Sequence, residues 1–304
     1  MIAASPGWQA VRKVLRKPQF WFGVVWTLPI LAWYAFFSYG PVLRAFSITT
    51  LNYNIVNPEL SPFVGLDNFR SLFANRLFWT GIRNTLLWAL FCYAGLLPLA
   101  LILSVGLSRL RRGRNTYQAI AFLPVVVSLP AVCLLFLMVL DPQIGPVNRL
   151  LESIGLPTSK FLTNSSSALP TAAAVGIWKS VGFHVVILTA GLMAIPEEFY
   201  DAARVDGANE WQRFWRVTLP LLSNTLLLET VIIAIGSLQE FGIPYVLTRG
   251  GPGDATLMYN LFLYNEAFTN MRFGTATGAA LLQFAVILVI SIGQIKLLRP
   301  KWSY

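Results

Sequence analysis

Six long apolar runs, each almost free of charged side chains, dominate this sequence. The hydrocarbon core of a bilayer is about 30 Å thick, and roughly 20 apolar residues in a helix cross it. Backbone polar groups find no water there, so each run has to fold as a helix. Because 56% of the residues are hydrophobic and only 12% are charged, an ordinary soluble domain is excluded. The sequence predicts an all-α membrane protein with six transmembrane helices.

The six predicted spans, named the first to the sixth, cover residues 20–39, 84–108, 115–140, 170–195, 220–241 and 273–295. They form one membrane domain, residues 20–296, between an N-terminal segment, residues 1–19, and a short tail, residues 297–304. Residues 5–17 combine Trp8 with basic side chains, which is typical of a helix lying in the inner membrane interface. A solvated tail is the alternative for this segment.

Lysine and arginine are distributed unevenly between the connecting segments. The side that carries both termini and residues 196–220 has fourteen of them, and the opposite side has eight. Cytosolic loops of membrane proteins accumulate positive residues, so both termini and residues 196–220 are predicted to be cytosolic. The net charge of +10 is therefore interpreted as a membrane and lipid signature, with no nucleic acid as a partner.

Residues 196–220, called the polar segment below, separate the fourth and fifth spans and carry two predicted short helices. Pro196 and the two glutamates after it are typical of a helix start. Gly207 is expected to end this helix in the left-handed conformation. Asn209 and Gln212, three residues apart, predict a capping box at the start of the second helix.

The polar segment resembles the EAA loop of permease subunits of binding-protein-dependent ABC importers, in the motif Asp201-Ala202-Ala203, Gly207, Val217 and Leu219-Pro220. Asp and Val stand for the usual Glu and Ile. Further matches to the maltose and glycerol-phosphate branch of sugar permeases are GLDNF after the first span, FLP in the third, Trp178-Lys179 in the fourth and YVLTRGGP after the fifth.

The resemblance implies the type I ABC importer permease fold, in which this loop sits in a groove of an ATPase subunit. The coupling residues that it implies are Glu198, Asp201, Ala202, Ala203, Asp206, Gly207 and Ala208. It also implies a second permease subunit, paralogous in this branch, two ATP-binding cassette subunits and an extracytoplasmic sugar-binding protein. The chain has no GxxxxGK[ST] motif, so we expect a non-catalytic subunit without a cofactor, whose partners bind ATP.

Charged side chains within the spans are costly and mark candidate pathways. Glu229 and Glu240 are 11 residues apart and share one stripe of a helix. Lys179 and His184 are five residues apart, so at most one of them is expected to face a pathway squarely. We place Lys179, Glu229, Gln239 and Glu240 at or near the translocation path, with an ion pair between Lys179 and Glu240 as one expectation. Structural pairing between helices is the alternative for each.

These features predict a subunit that forms half of an import path for a sugar or oligosaccharide, located in the inner membrane. A secondary transporter driven by an ion gradient is the alternative, but it predicts an inverted repeat, and none is evident. A membrane-embedded metalloenzyme is disfavoured because the chain contains a single histidine. The identity and charge of the sugar stay open, as does an identical rather than paralogous partner permease.

Overall fold

The computed structural model of the chain describes residues 17–110 and 112–298, and within these ranges it contains helices and no strand. The predicted interfacial helix of the N-terminal segment and most of the C-terminal tail lie outside the described residues. The α-helices in chain order are α1 (Pro18–Tyr34), α2 (Gly40–Ile48), α3 (Asp67–Ala74), α4 (Arg76–Ser108), α5 (Arg114–Val126), α6 (Leu129–Val139), α7 (Pro146–Ser153), α8 (Ala168–Met193), α9 (Glu197–Val205), α10 (Glu210–Arg213), α11 (Leu219–Leu221), α12 (Ser223–Leu238), α13 (Gly242–Leu247), α14 (Tyr259–Tyr264) and α15 (Phe273–Leu298).

Five helical stretches in the described part of the chain are long and apolar enough to cross a bilayer: Pro18–Ile48, Arg76–Ser108, Ala168–Met193, Ser223–Leu247 and Phe273–Leu298. The pair α5 and α6 passes the same test together and is bent by 91° between its two halves. Counted as one broken span, this pair corresponds to the third predicted span and brings the number of spans in the described residues to six. The all-α fold with six spans is therefore confirmed.

Several predicted spans differ from the structure: the helical stretch of the first extends to Ile48 and that of the fifth to Leu247, and the second and third differ for reasons that the contacts show. The second span begins at Arg76, not at residue 84, because the Asn75 side chain accepts the Leu77 backbone N–H at 2.9 Å and caps the helix. The third span was predicted as one helix over residues 115–140, but it breaks where Val127 is extended (φ −67°, ψ 135°). Pro130 lacks an N–H, so the helix cannot continue its hydrogen bonding across this break.

The core forms where α4 and α8 pack along each other with small residues in the contact. A Cβ on Gly95 would lie 2.5 Å from Ile177 Cδ1, and one on Gly176 would lie 3.1 Å from Trp88 Cζ2. Glycines therefore allow the close approach of these two helices, as is common between membrane helices.

Gly182 lets α8 touch the backbone of α5, since a Cβ at this position would lie 2.0 Å from the Ala121 carbonyl oxygen. We expect Gly182→Ala to separate the two helices and to destabilise the protein by about 1–3 kcal/mol. Gly293→Ala is the matched control, because nothing lies within 4 Å of a Cβ there. Thermal unfolding of both variants in detergent checks this, and equal midpoints would contradict it.

The segment 242–272, predicted as an outer connection, is packed into the core at the start of α4. The Tyr259 N–H donates to Thr85 Oγ1 at 2.9 Å, and its hydroxyl donates to the Ala279 carbonyl at 2.8 Å. Burial raises the pKa of the Tyr259 hydroxyl. Met258 and Phe262 beside it are buried as well. These contacts join the fifth and sixth spans to the second.

Candidate coupling surface and translocation cavity

The polar segment begins as its sequence predicts. Pro196 precedes α9, and Glu197 and Glu198 occupy its first turn, at the positive end of the helix dipole. Gly207 follows the helix with φ 77°. Its N–H donates to the Arg204 carbonyl at 3.0 Å, and the next N–H, of Ala208, donates to the Ala203 carbonyl at 2.9 Å. This is the Schellman arrangement, which confirms the predicted helix end.

Gly207 is needed for its backbone conformation alone, because nothing lies within 4 Å of a Cβ at this position. Gly207→Val is expected to cost about 1–2 kcal/mol at this turn, whereas Asn, which tolerates the left-handed region, costs less. Amide hydrogen exchange at residues 206–208 should accelerate about tenfold in the Val variant. Gly106→Ala, at an open helical position, is the control. Unchanged exchange in the Val variant would contradict the role of this turn.

The second helix of the polar segment starts at the predicted capping box. The Asn209 side chain accepts the Gln212 N–H at 2.9 Å, and the Gln212 side chain accepts the Asn209 N–H at 2.9 Å. From α10 the chain stays helical through one π turn, Phe214–Thr218, and α11. The polar segment is thus a short helix, a turn and a second helix that runs directly towards α12.

Most predicted coupling residues lie on the surface of α9 and its turn. Asp201 forms an ion pair with Arg204 at 2.6 Å, and Ala202 adds no side chain beyond its Cβ. The exposed members of the set are Glu198, Asp201, Ala202, Asp206 and Gly207, and the half-buried members are Ala203 and Ala208. The surface is therefore accessible and poor in bulky side chains.

The two most exposed large apolar residues of the polar segment were missed by the sequence reasoning. Val205 is 88% exposed and Trp211 is 70% exposed. The signal was available, because both stand among polar residues in a segment predicted to project from the membrane. Exposed apolar side chains of this kind mark contact surfaces, here beside the side-chain-poor face of α9.

The polar segment is attached to the end of α4. Arg109, directly after α4, forms an ion pair with Glu210 at 2.7 Å. Within the polar segment, the Tyr200 hydroxyl donates to Thr218 Oγ1 at 3.2 Å. Beneath these contacts a cavity of about 420 Å³ separates α9 and α10 from the ends of α4 and α8. The polar segment therefore connects to three spans, through α8, α12 and Arg109.

A second cavity, of about 270 Å³ and called the central cavity below, lies between α4, α5, α8 and α12. Its ionisable lining residues Lys179, His184 and Glu240 lie together with Trp88 and Ser237. The structure thus brings Lys179 and Glu240 to one cavity, as predicted. His184 lines it too, so Lys179 and His184 both border this cavity, and whether at most one of them faces the pathway squarely stays a prediction.

The expected ion pair between Lys179 and Glu240 is wrong. Lys179 Nζ donates instead to the carbonyls of Val127, at 3.0 Å, and of Pro124 and Val125, each at 3.3 Å. Glu240 Oε1 accepts the Ile243 N–H at 2.9 Å. Both charged groups are therefore engaged with backbone at breaks in the helices.

Glu229 and Gln239, the other two predicted path residues, lie outside the lining of the central cavity. Glu229 is completely buried, and its Oε2 lies 2.5 Å from His184 Nδ1, which is 5% exposed as a residue. Gln239 is exposed at the end of α12, and its carbonyl accepts the Asn260 side-chain N–H at 2.6 Å. His184, given little weight from the sequence, is the partner that connects α8 to α12.

Broken spans around a cavity, joined to an exposed polar segment, define a membrane transport subunit. The family model described as "Binding-protein-dependent transport system inner membrane component" matches residues 96–304. The chain belongs to this family: it is a non-catalytic permease subunit of a binding-protein-dependent ABC transporter and resides in the membrane.

Individual relatives agree with this assignment. The chain is 33% identical to the probable ABC transporter permease protein YurN of Bacillus subtilis (strain 168), over 86% of this chain and 90% of that protein. It is 31% identical to the multiple sugar-binding transport system permease protein MsmF of Streptococcus mutans, over 94% and 97%. Among solved structures, a chain of a bacterial ABC transporter that imports the acidic polysaccharide alginate superimposes with a TM-score of 0.82 at 27% identity, covering 97% of this chain and 99% of that chain.

Proposed function

We propose that this subunit forms half of the import path for a sugar or oligosaccharide and receives the energy of ATP hydrolysis through the polar segment. The observation that carries this proposal is the direct connection of the exposed polar segment to α8 and α12, two helices that line the central cavity. Movement imposed on the polar segment would therefore reach the cavity walls without an intervening flexible loop.

The ATPase contact is proposed to involve Glu198, Asp201, Ala202, Ala203, Asp206, Gly207 and Ala208. The accessible, side-chain-poor face of α9 supports this, since another protein can approach its backbone closely. Val205 and Trp211 beside it supply apolar contact area. ATP would bind to two partner ATPases, because this chain lacks a GxxxxGK[ST] motif.

The orientation that this function requires places the polar segment and both termini in the cytosol. The excess of Lys and Arg on that side supports it. A binding protein would then deliver the sugar on the opposite side, and a second, paralogous permease would supply the other half of the path. Closure of the ATPases would move the two polar segments together and open the cavity outward.

The substrate class is proposed from the path residues and the relatives. Lys179 and Glu240 contribute polar side chains to the lining of the central cavity, and Glu229 on α12 and Gln239 at its end are proposed to lie near the path. MsmF is named for multiple sugar-binding transport, and the superimposing structure belongs to an importer of an acidic polysaccharide. A saccharide is therefore the substrate to test, in neutral and acidic forms.

Reconstitution in vesicles tests this function. The chain is purified with its associated subunits, the binding protein is placed outside, and uptake of labelled neutral and acidic oligosaccharides is measured. We expect uptake only when ATP is present in the lumen beside the ATPases. Uptake driven by an ion gradient without ATP would overturn the proposal in favour of a secondary transporter.

A further inference from the structure

The break between α5 and α6 leaves backbone carbonyls at the end of α5 without intrahelical partners. The helix ends at Val126, and the chain turns by 91° before α6 begins at Leu129. Within a membrane, carbonyls without a hydrogen-bond donor are costly, because no water replaces the missing N–H groups. A break of this kind therefore needs donors from another helix.

Lys179 of α8 supplies these donors. Its Nζ lies 3.3 Å from the Pro124 and Val125 carbonyl oxygens and 3.0 Å from that of Val127. An ammonium group has three N–H donors, so three carbonyls occupy all of them. The positive charge also lies at the negative end of the α5 dipole, where it is stabilised.

The position of Lys179 over the break follows from the contact between α5 and α8. Gly182, three residues later and on the same face of α8, touches Ala121 of α5. This close approach holds the lysine stem against the last turn of α5. The Lys179 side chain therefore extends to the carbonyls from a helix that is packed against α5.

The break between α12 and α13 packs against the break between α5 and α6. Glu240 Oε1 accepts the Ile243 N–H at 2.9 Å, at the break between α12 and α13. A Cβ on Gly242 would lie 2.2 Å from Leu129 Cδ2, so α13 and the start of α6 are in direct contact. A change in the α5–α6 break would consequently displace the wall of the central cavity that α13 forms.

We propose that Lys179 is a positioning residue, which fixes the break between α5 and α6 and so shapes the wall of the central cavity. It does not act as a cation that reads the charge of the substrate, since its donors are already used. This inference rests on the proposed function only in taking the central cavity as the path.

The test compares three variants. Lys179→Met keeps the length of the side chain but has no N–H donors, Lys179→Arg keeps the N–H donors, and Lys179→Gln keeps some of them. Lys160→Met, at an exposed lysine outside the membrane, is the control. A thiol probe is introduced by Val125→Cys, which lines the central cavity beside Lys179. Because the free thiol of Cys92 lines the same cavity, Cys92 and Cys133 are both replaced by Ala in every variant compared. Labelling is measured on the purified complex with a water-soluble maleimide.

We expect the probe to react about tenfold faster in Lys179→Met, because the uncovered carbonyls loosen the break, with Lys179→Arg close to the parent and Lys179→Gln between them. Turnover of transport should fall about tenfold for neutral and acidic substrates alike, with the half-saturating concentration of binding protein unchanged. If Lys179→Met proves too unstable to purify, the order of Arg and Gln decides the question.

Selective loss of acidic substrates with unchanged labelling of the probe would overturn the proposal. Equal labelling in the Arg and Gln variants, with equal transport, would overturn it as well. The labelling experiment does not require transport, so a complex that carries some other substrate still reports on the break. Failure of this inference and failure of the proposed function are thereby distinguishable.

Discussion

Replacing Glu229 by Ala is expected to destabilise the subunit by about 3–5 kcal/mol, the range for removing one partner of a buried pair. Glu229 has no exposed surface, and its carboxylate contacts His184 Nδ1 across the interface of α8 and α12. The substitution leaves the imidazole without this partner and creates a void between the two helices. Thermal unfolding of the purified complex in detergent measures the effect.

Two further variants separate the lost contact from a general intolerance of substitution. Glu229→Gln keeps the shape and one hydrogen bond, so its effect should be smaller than that of Ala. Glu152→Ala, at an exposed glutamate on α7, should change stability by less than about 0.5 kcal/mol. A Glu229→Ala protein as stable as the Glu152→Ala control would show that the buried pair contributes nothing.

Replacing Ala202 by Arg is expected to uncouple the subunit from its ATPase without disturbing its own fold. Ala202 is exposed on α9, so a long charged side chain fits the isolated chain but obstructs a closely packed partner. Obstruction at the centre of an interface costs about 2 kcal/mol or more, which corresponds to roughly 30-fold weaker association. Transport and substrate-stimulated ATP hydrolysis should both fall accordingly.

The control for Ala202→Arg is Ala74→Arg, at an exposed position at the end of α3 and far along the chain from the polar segment. Both variants should reach the membrane in equal amounts and unfold at equal temperatures, and only Ala202→Arg should lose ATPase association. Normal stimulated hydrolysis in Ala202→Arg would show that this face of α9 is not the contact.

The spans were predictable because a helix needs roughly 20 apolar residues to cross the bilayer core. The sixth span starts at Phe273, as predicted, and the fourth starts at Ala168, two residues from the predicted start. The polar segment was predictable for a different reason: its helix start, its left-handed Gly207 and its capping box are local features, set by residues three to five apart. Local rules thus gave its shape before any tertiary contact was considered.

The central cavity was less predictable because it depends on contacts between distant parts of the chain. A proline indicates that a helix is disturbed, but the 91° break between α5 and α6 depends on which helix supplies donors to the freed carbonyls. From the sequence an acidic side chain was the expected partner of Lys179, whereas in the structure its Nζ donates to backbone carbonyls. Pairing of His184 with Glu229 likewise requires knowing that α8 and α12 are neighbours.

Site-directed crosslinking from the polar segment tests the central claim most directly. A photoreactive maleimide is attached to Ala202→Cys in the assembled transporter, with Ala74→Cys as the control, since the native thiols are buried. We predict a covalent product between position 202 and an ATP-binding cassette subunit that changes in yield with nucleotide, and none from position 74. An intact complex that gives no ATPase product from position 202 would contradict the assignment of the polar segment as the coupling element.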